Sequence, residues 1–196
     1  VVVPLPALCD GGAVTIDVAG DLELGDVTAS TLDVSAGGAL TGTGLIFAEG
    51  DARFEAPSIS LTGENSIFGA TLSLAGGGEA TVASGQAVRL GDLALASLDL
   101  EAAGPVDDAS AGATSITGDL SVATAGGEIT LERPGASIGG AISAVTTLQG
   151  AGPAGVQITR AGSLMLGDVV ADVLDLSVGA DVSQSSLGAV NVIDLG

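Results

Sequence analysis

The sequence predicts an all-β chain wound into a parallel β-helix, a β-solenoid of about eight to ten coils. Three observations carry that expectation. One stretch is written three times, apolar residues alternate in short runs throughout, and the alphabet is narrow: 32 glycines and three phenylalanines, with no Trp, Tyr, His or Lys in 196 residues. Self-similarity at this scale belongs to stacked repeats rather than to a globule with one core. A core poor in aromatics must pack small and β-branched side chains in narrow layers.

The threefold stretch occupies residues 22–40, 88–106 and 164–182. Leu24-Gly25-Asp26 returns as Leu90-Gly91-Asp92 and Leu166-Gly167-Asp168. Leu32-Asp33 returns as Leu98-Asp99 and Leu174-Asp175, with the spacing inside each copy unchanged. Gly25 to Gly91 is 66 residues and Gly91 to Gly167 is 76, three to four coils each. The longer interval needs an insertion, expected at 105–114 or 149–155, because a solenoid places insertions in loops on one face.

The strands follow from period two. Val14, Ile16 and Val18 share one face of the first run. Leu22/Leu24, Leu32/Val34, Ile59/Leu61, Leu72/Leu74, Leu98/Leu100, Ile129/Leu131, Leu164/Leu166 and Leu174/Leu176 continue the pattern,. Turns fall between them at Ala36-Gly37-Gly38, Gly76-Gly77-Gly78, Ala125-Gly126-Gly127 and Gly150-Ala151-Gly152, since Gly tolerates left-handed backbone angles,. A short helix at Val169–Leu176 is outvoted by its own repeat copies, which read as strands. A sandwich or barrel would need hairpin turns, yet Asp10-Gly11 is the one Asn-Gly or Asp-Gly pair,.

Each coil is expected to use roughly 18–25 residues in two or three strands, giving a rod about 40–50 Å long. Leu24, Val34, Leu61, Leu74, Leu90, Leu100, Leu131, Leu166 and Leu176 are expected to point inward, and Glu23, Asp33, Asp99 and Asp175 outward. Phe54 and Phe68 are read as core and Cys9 as a buried small residue, with a cross-link between chains as the alternative. Residues 1–11 are read as an N-terminal extension or linker and 12–196 as the repeat domain.

The formal charge is −20, with Arg53, Arg89, Arg133 and Arg160 the four cations. Nucleic acid needs a basic stripe, and there is none. Anionic membrane surfaces would repel the chain, and no run of eighteen apolar residues could cross a membrane as a helix. Like charge keeps β rods from aggregating sideways. Calcium is the sharper reading of 24 carboxylates. However, neither the Gly-Gly-x-Gly-x-Asp repeat nor an EF-hand loop occurs. Asp26, Asp92 and Asp168, if they shared one column, would sit about 15 Å apart, too far to share an ion. No cofactor is therefore expected beyond weak Ca²⁺ binding, and Asp107-Asp108 is expected at an exposed turn.

Catalysis is not expected. Without His, Ser–His and Cys–His nucleophiles are impossible. A polysaccharide lyase or hydrolase on this fold would have to use Asp107 and Asp108 as paired carboxylates, with Arg133 holding an acidic sugar. A glycan-recognising lateral face would draw on Arg89, Arg133 and Arg160. The lone cysteine forms no intrachain disulfide. The N-terminus lacks a basic n-region and is not an intact signal peptide. The chain opens and closes in mid-pattern, which leads us to expect that it continues into neighbouring sequence or docks end to end on another copy.

The repeated L-G-D-[VL] followed by L-D-[VL], with phrases such as LDVSAGGALTGTG at 32–44 and LDLSVGADVSQSSLGAVNV at 174–192, resembles the repeat region of filamentous haemagglutinin-type exoproteins. Autotransporter adhesin passengers are similar in style. The resemblance covers about residues 12–194. It implies a right-handed parallel β-helix exported by a Gram-negative bacterium to its surface or beyond, serving as stalk, adhesin or biofilm fibre. Implied partners are further copies of the chain, or a cell-surface or host glycan or protein.

Overall fold

The structure is a computed structural model. It describes residues 2–5, 8–9, 11–63, 65–108, 112–147 and 154–192. All described regular structure is β, and every strand pairing is parallel. The chain is a β-solenoid of about eight turns, as its repeats and alternation lead one to expect.

Two eleven-stranded sheets and one four-stranded sheet wrap the core. The first long sheet includes Asp21–Leu24, Ala39–Gly42, Ser58–Leu61, Glu79–Ser84, Ser97–Ala102, Leu120–Ala125, Ile142–Thr147 and Leu164–Ala171. The second includes Ala13–Val18, Thr31–Ala36, Ala52–Glu55, Thr71–Ala75, Val88–Leu95, Ile129–Leu131, Gly155–Arg160 and Val173–Val178. The short sheet holds Leu8–Cys9, Val27–Ala29, Ile46–Ala48 and Ile67–Phe68.

Stacking puts like on like. Leu22 sits over Leu40, Leu40 over Ile59, and Leu98 over Leu120 over Ile142. Leu24, Val34, Leu61, Leu74, Leu90, Leu100, Leu131 and Leu166 are buried. Leu176 is half-buried against the same core. Glu23, Asp33, Asp99 and Asp175 are exposed. Phe54 and Phe68 lie in the interior and meet edge to face, 6.2 Å between ring centres. Residues 169–176 divide between strands Leu164–Ala171 and Val173–Val178, not a helix.

The segment expected as a linker is part of the stack. Val2–Leu5 pairs with Asp21–Leu24, and Leu8–Cys9 with Val27–Thr28. Val2–Leu5 is paired on one side only, where a strand tolerates the N–H that Pro4 lacks,. The side chain of Cys9 lies outside the described residues. The expected insertion at 105–114 separates Val106–Asp108 from Thr114–Ile116, while the alternative site at 149–155 lies largely outside the described residues.

Each coil has a straight side, one continuous strand, and a broken side that bends midway. Between residues 13 and 75 the broken side combines the first and short sheets, as in Asp21–Leu24 followed by Val27–Ala29, and the second sheet is straight. Between 79 and 147 the roles exchange. Val88–Leu95, Val106–Asp108 with Thr114–Ile116, and Ile129–Leu131 with Ser137–Ile138 bend on the second sheet, while the first is straight. From 155 the broken side returns to the first sheet, in Leu164–Ala171 and its pairing with both Val182–Gln184 and Val190–Val192.

The exchange has a simple cause. Three steps along the first sheet lead from Asp21–Leu24 to Glu79–Ser84, and Gly91 lies half a coil further on. The 66- and 76-residue intervals are therefore three and a half coils, and each unit begins half a turn round from the last. Asp26, Asp92 and Asp168 consequently do not share a column: the first and third belong to one side of the rod and the second to the other.

Candidate functional site

The repeated motif is a bend followed by a straight strand. In Val88–Leu95 and Leu164–Ala171, Leu-Gly interrupts the alternation: Leu90 and Gly91 are both buried, as are Leu166 and Gly167, and the register shifts there. This one-residue change of phase is a β-bulge. A Cβ on Gly91 would overlap Ser73 Oγ, and one on Gly167 would overlap Ser143 Oγ. Those hydroxyls instead accept the N–H of Asp92 and Asp168, each at 3.1 Å. At Leu24-Gly25-Asp26 the same phase change carries the chain from the first sheet into the short one. Leu32, Leu98 and Leu174 then start the straight strands as inward residues, with Asp33, Asp99 and Asp175 outward.

The aspartates of all three motifs do the same work. Each carboxylate accepts a backbone N–H from the next coil: Asp26 from Leu45 at 2.8 Å, Asp92 from Ala113 at 2.7 Å, and Asp168 from Ala189 at 2.8 Å. Four more aspartates follow suit. Asp21 accepts from Ala39, Asp51 from Thr71, Asp119 from Ala141, and Asp108 from Glu132 and Arg133. Five of these donors follow a glycine, at 38, 44, 112, 140 and 188. At Gly38 and Gly140 a Cβ would overlap the bracketing carboxylate itself. The signal in sequence is thus an Asp at a bend and a Gly-Ala or Gly-Leu pair about one coil later.

Asp119→Ala is expected to lower stability by about 1–2 kcal/mol, and Asp119→Asn, which keeps an acceptor, by less than half of that. Urea unfolding midpoints of the two variants measure the difference. Equal losses would show that the acceptor is immaterial.

Asp51 adds a pH signature. Hydrogen bonds from Thr71 Oγ1 and Thr71 N hold its carboxyl below the usual 3.8. A lowered folded-state value stabilises the fold above the unfolded-state pKa and ceases to do so as pH falls through the folded value. Between pH 5 and pH 2.5 the parent protein should therefore lose more stability than Asp51→Asn, with the divergence beginning below about pH 4. Parallel acid titration curves for the two proteins would remove Asp51 from the account.

The carboxylates proposed as a catalytic pair are separated by the strand they share. Asp107 faces out and binds Arg89 through Nε and Nη2, at 3.0 and 2.9 Å. Asp108 is committed to the backbone N–H groups of Glu132 and Arg133. Two of the three arginines considered for a lateral glycan face point inward. Arg133 is 8% exposed and donates to the carbonyls of Leu90 and Gly91 and to Thr114 Oγ1, with its Nε 3.9 Å from Asp108. Arg160 is 9% exposed and donates to Ala136 O at 3.1 Å, and burial pulls its guanidinium below the ordinary value. The reason is phase: Ile129, Leu131 and Arg133 alternate inward, as do Val156, Ile158 and Arg160. That lateral cluster of arginines does not form. Arg53, at the surface, pairs with Asp33 and Glu55. Among the described residues no cluster of three His, Cys, Asp or Glu could hold a metal ion, and none of them forms a helix long and apolar enough to cross a membrane.

A profile of the family described as "Repeats of unknown function (DUF5649)" matches residues 11–75 and 77–145. The chain belongs to this family. Neither a curated protein nor a solved structure matches it. The two DUF5649 matches coincide with the two structural units at 13–75 and 79–147, and each begins on a straight strand. Each matched stretch of this chain is therefore three and a half coils, and the two face opposite ways. Buried polar groups lie where they meet, Ser66 and Ser84 at the first junction and Arg133 and Arg160 at the second, with Thr124 and Thr146 buried besides.

Proposed function

We propose that the chain is a structural segment of an extracellular bacterial β-solenoid fibre or surface adhesin, without catalysis, whose ends stack on further coils of its own kind. The observation that carries this reading is where the carboxylates are used. Seven aspartates, from Asp21 to Asp168, each tie one coil to the next. Residues that could build a reactive pocket are spent on continuity along the axis. The charge of −20 suits such a rod, since it resists sideways association while leaving the ends free to pair,. Export to a Gram-negative surface rests on the resemblance to haemagglutinin-type exoproteins.

Negative-stain electron microscopy at low protein concentration, with and without a calcium chelator, tests the reading. Uniform filaments in both conditions support end-stacking, and single rods about 45 Å long support a segment of a larger adhesin. Round compact particles, or filaments that vanish with the chelator, overturn it. Protease shaving of intact producing cells tests the location: a chain protected until lysis is not on the surface.

A further inference from the structure

The second junction holds a feature that a purely mechanical role does not use. A small, partly open cavity of about 20 Å³ is lined by Leu120, Ile142, Ile158, Thr114, Arg133 and Arg160 among others. Arg160 brings a charge there without a countercharge: among the described residues no carboxylate lies within 4.0 Å of its guanidinium. Its Nε has no hydrogen-bond partner among them either. Asp108 is engaged by Arg133 and two backbone N–H groups. A guanidinium keeps its proton in proteins, so Arg160 does not escape the cost of burial by neutralisation. Thr114 Oγ1 accepts from Arg133, which leaves its own O–H to donate,.

We propose that this cavity binds one monatomic anion, chloride, against Arg160 Nε, with the Thr114 hydroxyl as a second donor. Size favours a small ligand, since about 20 Å³ is room for the centre of one water-sized guest,. Charge selects chloride over water, because water leaves the guanidinium uncompensated. The first junction supports the contrast. Ser84 ends strand Glu79–Ser84 where Arg160 ends strand Gly155–Arg160, and Ser84 Oγ is satisfied by Ser66 O, a protein partner.

The test replaces sodium gluconate with sodium chloride at constant ionic strength and follows thermal unfolding of the whole chain. The midpoint is expected to rise by a few degrees as chloride increases, because only the folded state offers the site. Arg160→Met should abolish the chloride dependence. Crystals soaked in bromide should show one anomalous peak within hydrogen-bonding distance of Arg160 Nε. Identical midpoints in the two salts, or chloride dependence that survives in Arg160→Met, overturn the proposal. If the variant does not fold, the bromide experiment on the parent protein decides, and no peak beside Arg160 is the negative answer.

Discussion

Phe54→Ala is expected to lower the unfolding free energy by about 3–5 kcal/mol. Phe54 is fully buried in strand Ala52–Glu55, between Val34 of the coil before and Leu74 of the coil after, with its ring against the edge of Phe68. Val34 and Leu74 are themselves fixed by parallel pairing to the coils beyond, so little can move in to fill the void. Phe54→Leu keeps most of the volume and should cost less than half as much. Urea unfolding of both variants measures this, and a loss below about 1 kcal/mol for Phe54→Ala would mean that the stack closes over the gap.

Gly76→Ala is expected to cost about 3 kcal/mol, from two causes acting together. Gly76 has φ of +127°, a conformation that L side chains rarely adopt, and an added Cβ would overlap the Ala56 carbonyl oxygen one coil earlier,. Gly77 is the internal control. Its φ is +77°, also left-handed, but a Cβ there meets nothing within 4 Å. Gly77→Ala should therefore pay only the backbone strain, about 1 kcal/mol. Denaturation midpoints that do not separate the two variants would show that the approach of Gly76 to Ala56 is unimportant.

Much of this fold can be read from the chain. Alternation in runs such as Leu32–Val34 and Leu98–Leu100 identifies inward rows, because parallel stacking puts each row on the same row of the next coil. The side of the rod cannot be read this way. Both long sheets are built on the same alternation, so Leu24-Gly25-Asp26 and Leu90-Gly91-Asp92 look alike although they lie on opposite sides. The interval of 66 residues fits three coils or four as well as the actual three and a half.

The aspartate brackets were half legible. Repetition singles out Asp26, Asp92 and Asp168, but the N–H groups they accept lie 19 or 21 residues away and are marked only by the glycine before each. For Arg133 and Arg160, charge argues for the surface. Phase argues for the interior and prevails, since carbonyl oxygens are within reach there.

The half-turn between repeats bears on straightness. A coil that is bulged on one flank and taut on the other is a wedge, and identical wedges stacked in one orientation curve into a hoop. Reversing the wedge every three and a half coils cancels the lean of each repeat against the next, as crossed grain does in plywood. Two repeats, seven coils or about 34 Å, then make one balanced period, and an array built from them is expected to run straight.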